Sequence, residues 1–122
     1  MWLLQYGAIK RGLRELEAVK GNRRATLDLL ARVRAEDGPP DLKALIIYAL
    51  GEHAGGETVD ALGDVLETDP SWRARAAATV ALGAIHDARA RELLDEAAES
   101  DADRRVRENA RFNRDHPGAF AP

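Results

Sequence analysis

Cysteine is absent, and only six of the 122 residues are aromatic: two Trp, two Tyr and two Phe. The first absence excludes a disulfide scaffold and any zinc site built on thiolates. Long apolar runs are missing too, since nothing approaches the roughly 18 consecutive apolar residues that a membrane span requires. The N-terminal stretch Met1-Trp2-Leu3-Leu4-Gln5-Tyr6 is interrupted by Lys10, Arg11 and Arg14, and no apolar h-region leads to a small-residue cleavage site. Neither a signal peptide nor a membrane anchor is expected, and the expected location is cytoplasmic. There is no Gly-rich phosphate cradle followed by Lys-Ser/Thr, no dinucleotide fingerprint and no Ser/His/Asp arrangement in a recognisable context. His53 and His86 fall in equivalent turns between helices, but ligand count argues against a metal there. The expectation is therefore no catalytic residue, no metal and no cofactor.

What the chain does have is Ala, Leu and charge. Apolar residues make up 45% and charged residues 32%, a helical and soluble profile in a length that suits one domain. The net charge of −3 hides a segregation. Lys and Arg against Asp and Glu number 8 to 4 over residues 1–36, 1 to 8 over 37–71, and 9 to 9 over 72–122. That order of basic, acidic and balanced segments argues against a simple polyanion binder.

The strongest signal is an internal repeat of 32 residues. Asp37, Asp69 and Asp101 share a register; in it Ala49-Leu50-Gly51 falls on Ala81-Leu82-Gly83, Leu62 on Leu94, Glu67 on Glu99, and Lys43 on Arg75. Arg73, Arg75 and Ala78 continue to Arg105, Arg107 and Ala110, while Thr26, Asp28, Leu30 and Val33 carry the register upstream to Thr58, Asp60, Leu62 and Val65. Each unit divides into two helices. Asp69 with Pro70 reads as an N-cap followed by proline at the first helical position. Gly55-Gly56 breaks the middle unit, and Pro117-Gly118 ends a lone last helix that starts at Asp103. Seven helices result. The first carries one apolar stripe (Trp2, Tyr6, Ile9, Leu13, Leu16), whereas the helix from Leu42 to Leu50 is apolar nearly all round and is expected to sit in the middle with neighbours on several sides. The last helix places Asn109, Asn113 and Arg114 where the preceding unit has Ala77, Ala81 and Leu82, so the array is expected to end there.

The run Asp69-Pro-Ser-Trp-Arg-Ala-Arg-Ala-Ala-Ala-Thr-Val-Ala-Leu-Gly-Ala-Ile-His-Asp87, followed by Ala90, Leu94 and Ala97, resembles the HEAT-like repeat family, the short type also seen in phycobilin lyase subunits and small adaptors. The likeness covers residues 37–114 well and 1–36 loosely. It implies an all-α, right-handed α-α superhelix (a HEAT-like solenoid) of three helix pairs plus a capping helix. The units are about 2–36, 37–68 and 69–100, with a cap at 101–116 and a flexible tail at 117–122. It also implies that Asp69 and Asp101 cap first helices, that Arg75 and Arg107 tie successive repeats, and that second helices line the concave face.

On that face the inward apolar positions leave Asp28, Asp60 and Glu92 outward at one repeat position, with Asp64, Asp95 and Glu96 one turn on. This acidic ladder suits a basic peptide or protein surface; the bland alternative is a solvated helix face. Trp72, at a position that does not repeat, is either a binding hot spot or a lid over an inter-repeat turn. Trp2, Leu3 and Leu4 either cap the stack or pair two copies. The leading functional expectation is a non-catalytic adaptor. The alternatives are a subunit resembling a phycobilin lyase component that holds a chromophore, and nucleic-acid binding through Arg73, Arg75, Arg104, Arg105, Arg107, Arg111 and Arg114. Interleaved Asp101, Asp103 and Glu108 argue against the last.

Overall fold

The computed structural model describes the backbone of residues 2–119 and the side chains of residues 6–119. Pairing through Trp2, Leu3 and Leu4 therefore falls outside the described side chains. Within the described residues the chain is an all-α solenoid of seven helices: α1 (Trp2–Val19), α2 (Arg23–Ala35), α3 (Pro40–Leu50), α4 (Gly56–Thr68), α5 (Trp72–Ala84), α6 (Ala88–Ser100) and α7 (Arg104–Asp115). The odd-numbered helices form one row and α2, α4 and α6 form the other, with α5 packed extensively against both α3 and α7.

Local chemistry sets the helix starts. Asn22 accepts from the Ala25 amide at 2.9 Å, Asp87 from the Arg89 and Ala90 amides, and Asp103 from the Arg105 amide at 2.8 Å. Pro40 opens α3, where its missing N–H leaves no bond unmade. Gly55 enters α4 with φ of 131°, a conformation that only glycine adopts freely.

The row of first helices closes on small residues. Ala74, Ala77, Ala78 and Ala81 of α5 are buried, and Gly51 and Gly83 let neighbouring backbones touch. A Cβ on Gly51 would stand 3.1 Å from Ala81 Cα, and one on Gly83 would stand 3.0 Å from Asn113 Cβ. Ile46, Ile47, Leu50, Val59, Leu62 and Val65 fill the centre with almost no exposure. At the far end Gly118 donates to the Gly83 carbonyl at 2.8 Å, so the expected flexible tail starts with residues that are held.

The aspartates of the repeat do something other than cap first helices. Asp69 and Asp101 end α4 and α6 in extended conformation, and their carboxylates accept from the amides of Ser71 and Asp103, both at 2.9 Å. Those two residues are the true N-caps of α5 and α7. The aspartate is thereby free to receive a cation from the preceding first helix. Lys43 Nζ reaches Asp69 at 2.8 Å, with both side chains at most 3% exposed, and Arg75 Nε reaches Asp101 at 3.0 Å. Arg75 and Arg107 also donate to the carbonyls of Asp69 and Asp101 at 2.9 and 2.7 Å. The tie between successive repeats that the resemblance implied is thus present at two boundaries. The first boundary differs. Asp37 has φ of 53°, because it occupies the left-handed turn in which Gly38 donates back to the Val33 carbonyl. Asp37 is exposed.

Candidate functional site

The six carboxylates of the expected ladder are all exposed on the second-helix row, on α2, α4 and α6. Their electrostatic settings differ from one another. Asp28 lies on α2, which carries four arginines, and it pairs with Arg24 at 3.0 Å. α4 carries Glu57, Asp60, Asp64 and Glu67 with no cation, and α6 carries Glu92, Asp95, Glu96 and Glu99 against Arg89 and Arg91. The negative field therefore centres on α4 and α6, bordered by the arginines of α2. Several carboxylates are bridged across helices: Glu57 to Arg24 at 2.7 Å, Asp64 to Arg34 at 2.9 Å, Asp60 to Arg89 at 3.3 Å and Asp95 to Arg114 at 3.6 Å. Every carboxylate in these four pairs is more than half exposed. The Glu57–Arg24 and Asp60–Arg89 pairs, exposed on both sides, each contribute only about 0–1 kcal/mol, so an incoming cation displaces those at small cost.

Trp72 does not belong to that face. It opens α5 in the other row, half-buried against the core, with the Arg105 guanidinium 3.6 Å from its ring centroid and Arg73 at 5.6 Å. Such stacking ties α5 to α7, the geometry of a lid over an inter-repeat turn. Four of the five α7 arginines are similarly engaged by this chain: Arg104 with Glu108, Arg105 with Asp103, Arg107 with the Asp101 carbonyl and Arg114 with Asp95. Arg105 beside it holds the Asp103 carboxyl down at about 2.

A groove of about 890 Å³ opens where the first boundary lacks its aspartate tie. Arg11, Arg32, Glu36 and Asp37 line it together with Leu42 and Trp72, so its walls mix charge with apolar surface. Among the described residues no group of three His, Asp or Glu side chains is placed to hold a metal ion. His53 instead has its Nε2 2.7 Å from the Lys20 carbonyl oxygen.

Seven helices, two rows and a tie that recurs every 32 residues are the anatomy of a repeat stack. A family model described as HEAT repeats matches residues 23–113. The chain belongs to the HEAT repeat family. No curated protein and no solved structure matches it at a significant level.

One feature of this HEAT repeat stack was not legible as a site. The large apolar side chains that are exposed among the described residues are Tyr6, Leu13, Leu45, Tyr48 and Phe112, and all five lie on first helices. The two rows thus expose different chemistry, charge on the second helices and apolar surface on the first. The clue in the sequence is the apolar character of residues 48, 80 and 112, which share one repeat position.

Proposed function

We propose that this HEAT repeat protein is a non-catalytic adaptor that holds a protein or peptide with a basic surface against α4 and α6. The supporting observation is the placement of Asp60, Asp64, Glu92 and Glu96 as exposed carboxylates at matching positions of two neighbouring helices. Two helices side by side offer an extended track on which successive Lys or Arg side chains exchange with the weak internal pairs. Charge of one sign accelerates the encounter and makes it sensitive to salt. Asp28 and Asp95 lie at the borders of this track, each tied to an arginine.

The test is a triple reversal, Asp60→Lys, Asp64→Lys and Glu92→Lys, set beside the wild-type protein in binding to a lysine- and arginine-rich peptide. The expected result is a loss of affinity of at least about tenfold per reversed contact that the peptide uses, with the helical circular dichroism unchanged. Raising the ionic strength weakens the wild-type complex in the same direction. Equal affinity of the two proteins for the peptide overturns the reading.

A further inference from the structure

At one boundary of the second-helix row this chain supplies its own cation, and at the next boundary that cation is missing. Between α2 and α4, Arg34 donates from Nη1 to Asp64 at 2.9 Å, from Nη2 to the Thr68 hydroxyl at 2.8 Å and from Nε to Asp69 at 3.0 Å. Its side chain is only 20% exposed. One repeat later the three acceptors return as Glu96, Ser100 and Asp101, but the position of the donor is held by Leu66. A groove of about 410 Å³ opens there, between the ends of α4 and α6. Leu66, Leu93 and Ala97 give it apolar walls, and Glu67, where the preceding unit has Ala35, adds a carboxylate beside Glu96. Both glutamates are exposed, and among the described residues neither forms an ion pair or a side-chain hydrogen bond.

We infer that this groove takes an arginine side chain of the partner, its guanidinium on Glu96, Ser100 and Glu67 and its aliphatic stem along Leu66, Leu93 and Ala97. The inference rests on the adaptor reading for the basic character of the partner, and adds which cation it presents and where. Arg34 shows what this acceptor set holds, a planar fork that spans a carboxylate and a hydroxyl one helical turn apart. The compact ammonium of lysine meets one such acceptor but does not span two in a fixed plane. Asp101 is not available as its counterpart Asp69 is, because Arg75 takes both of its oxygens at 3.0 and 3.3 Å. Glu67 supplies the second carboxylate instead. Asp60, Asp64 and Asp95 are each bridged to an arginine of this chain, so a guest at the groove meets the carboxylates that displace no internal pair. The ends of α4 and α6 add the partial negative charge of their last carbonyls, and the apolar walls suit an arginine stem.

Two versions of one basic peptide, equal in charge, test this: every cation is arginine in the first and lysine in the second. Calorimetric titration of the full chain is expected to show the arginine peptide binding at least about tenfold tighter. Glu67→Gln combined with Glu96→Gln changes only exposed side chains, and is expected to bring the ratio of the two affinities to about one. Leu66→Arg places the chain's own guanidinium where Arg34 stands one repeat earlier, and is expected to abolish the preference in the same way. The ratio is the readout because a simple change of net charge weakens both peptides together. The reversal of Asp60, Asp64 and Glu92 should therefore weaken both and leave the ratio alone. Equal affinities of wild type for the two peptides, or a preference that survives Glu67→Gln with Glu96→Gln, overturn the groove while a loss in the triple reversal keeps the adaptor reading. A preference that the glutamine pair removes, in a protein whose triple reversal binds as well as wild type, has the opposite meaning: the groove stands and the track along α4 and α6 falls. Binding of neither peptide overturns both.

Discussion

Asp69→Asn is expected to destabilise the fold by about 3–5 kcal/mol and to lower the melting temperature by roughly 10–20 °C. The carboxylate of Asp69 is 1% exposed and receives Lys43 at 2.8 Å and Arg34 at 3.0 Å, while the Ser71 amide donates to it at 2.9 Å. Asparagine preserves the shape and the acceptor for Ser71 but removes the charge. What remains is the Lys43 ammonium, 3% exposed, without a counter-ion. An uncompensated buried charge costs far more than a tidy ion pair contributes, which is why deleting one partner is so much worse than replacing both. Lys43→Met in the same chain should therefore recover most of the loss. The exposed pair of Asp41 and Arg73 is the internal control: Asp41→Asn should cost less than about 1 kcal/mol. Burial pushes the Asp69 carboxyl up, yet the bonds from Lys43, Ser71 and Arg34 together hold it below the ordinary carboxylate range. A carboxylate lowered in the folded state contributes stability that is complete above its unfolded value, near 3.9, and disappears as the pH falls through its folded value. The gap in melting temperature between wild type and Asp69→Asn should thus be widest near neutral pH and narrow below about pH 4. Thermal melts followed by circular dichroism across that range measure both the size and the sign.

The node at Asp69 also marks the boundary between what the chain discloses locally and what it does not. The period of 32 and the glycine breaks are legible in the chain itself, and the seven helices they imply are the ones observed. The aspartate of the repeat looks like an N-cap because a proline follows Asp69, and nothing nearby distinguishes that role from a receiver of Lys43, 26 residues upstream. Cross-repeat pairs such as Arg24 with Glu57 and Arg34 with Asp64 are equally non-local, being 33 and 30 residues apart. A helix read alone therefore shows an acidic face where the stack shows carboxylates partly matched by a neighbouring helix. Trp72 is a similar case. Its departure from the repeat is visible in the sequence, but the Arg105 that stacks on it comes from the next unit. The helix from Leu42 to Leu50 is legible in its place but not in its surface. Its apolar residues run nearly all round, and α3 has the expected neighbours on several sides in α1, α2 and α5, yet Leu45 and Tyr48 stay 41% and 46% exposed. The surplus of apolar residues on α3 is surface that the stack itself does not cover.

That surplus gives the second large effect, seen by comparing two residues of α3 that look interchangeable in the sequence. Ile47→Ala is expected to cost about 2–5 kcal/mol, whereas Leu45→Ala, two positions earlier, should cost less than about 1 kcal/mol. Ile47 has no exposure and lies in the single core cluster with Leu50, Leu62 and Leu82. The central position of α3 between α1 and α5, with α2 beside it, means that the cavity left by truncation is walled by several elements at once. Walls fixed by close contacts such as Gly51 against Ala81 cannot easily collapse inward, which places the cost toward the upper part of the range. Leu45 loses little because water already reaches it. Leu45→Ala should leave the chemical denaturation midpoint nearly where it is. Ile47→Ala should lower that midpoint and leave the exposed row intact in the molecules that remain folded. Denaturant titrations of the two variants separate the apolar residues that build the stack from those that the stack presents.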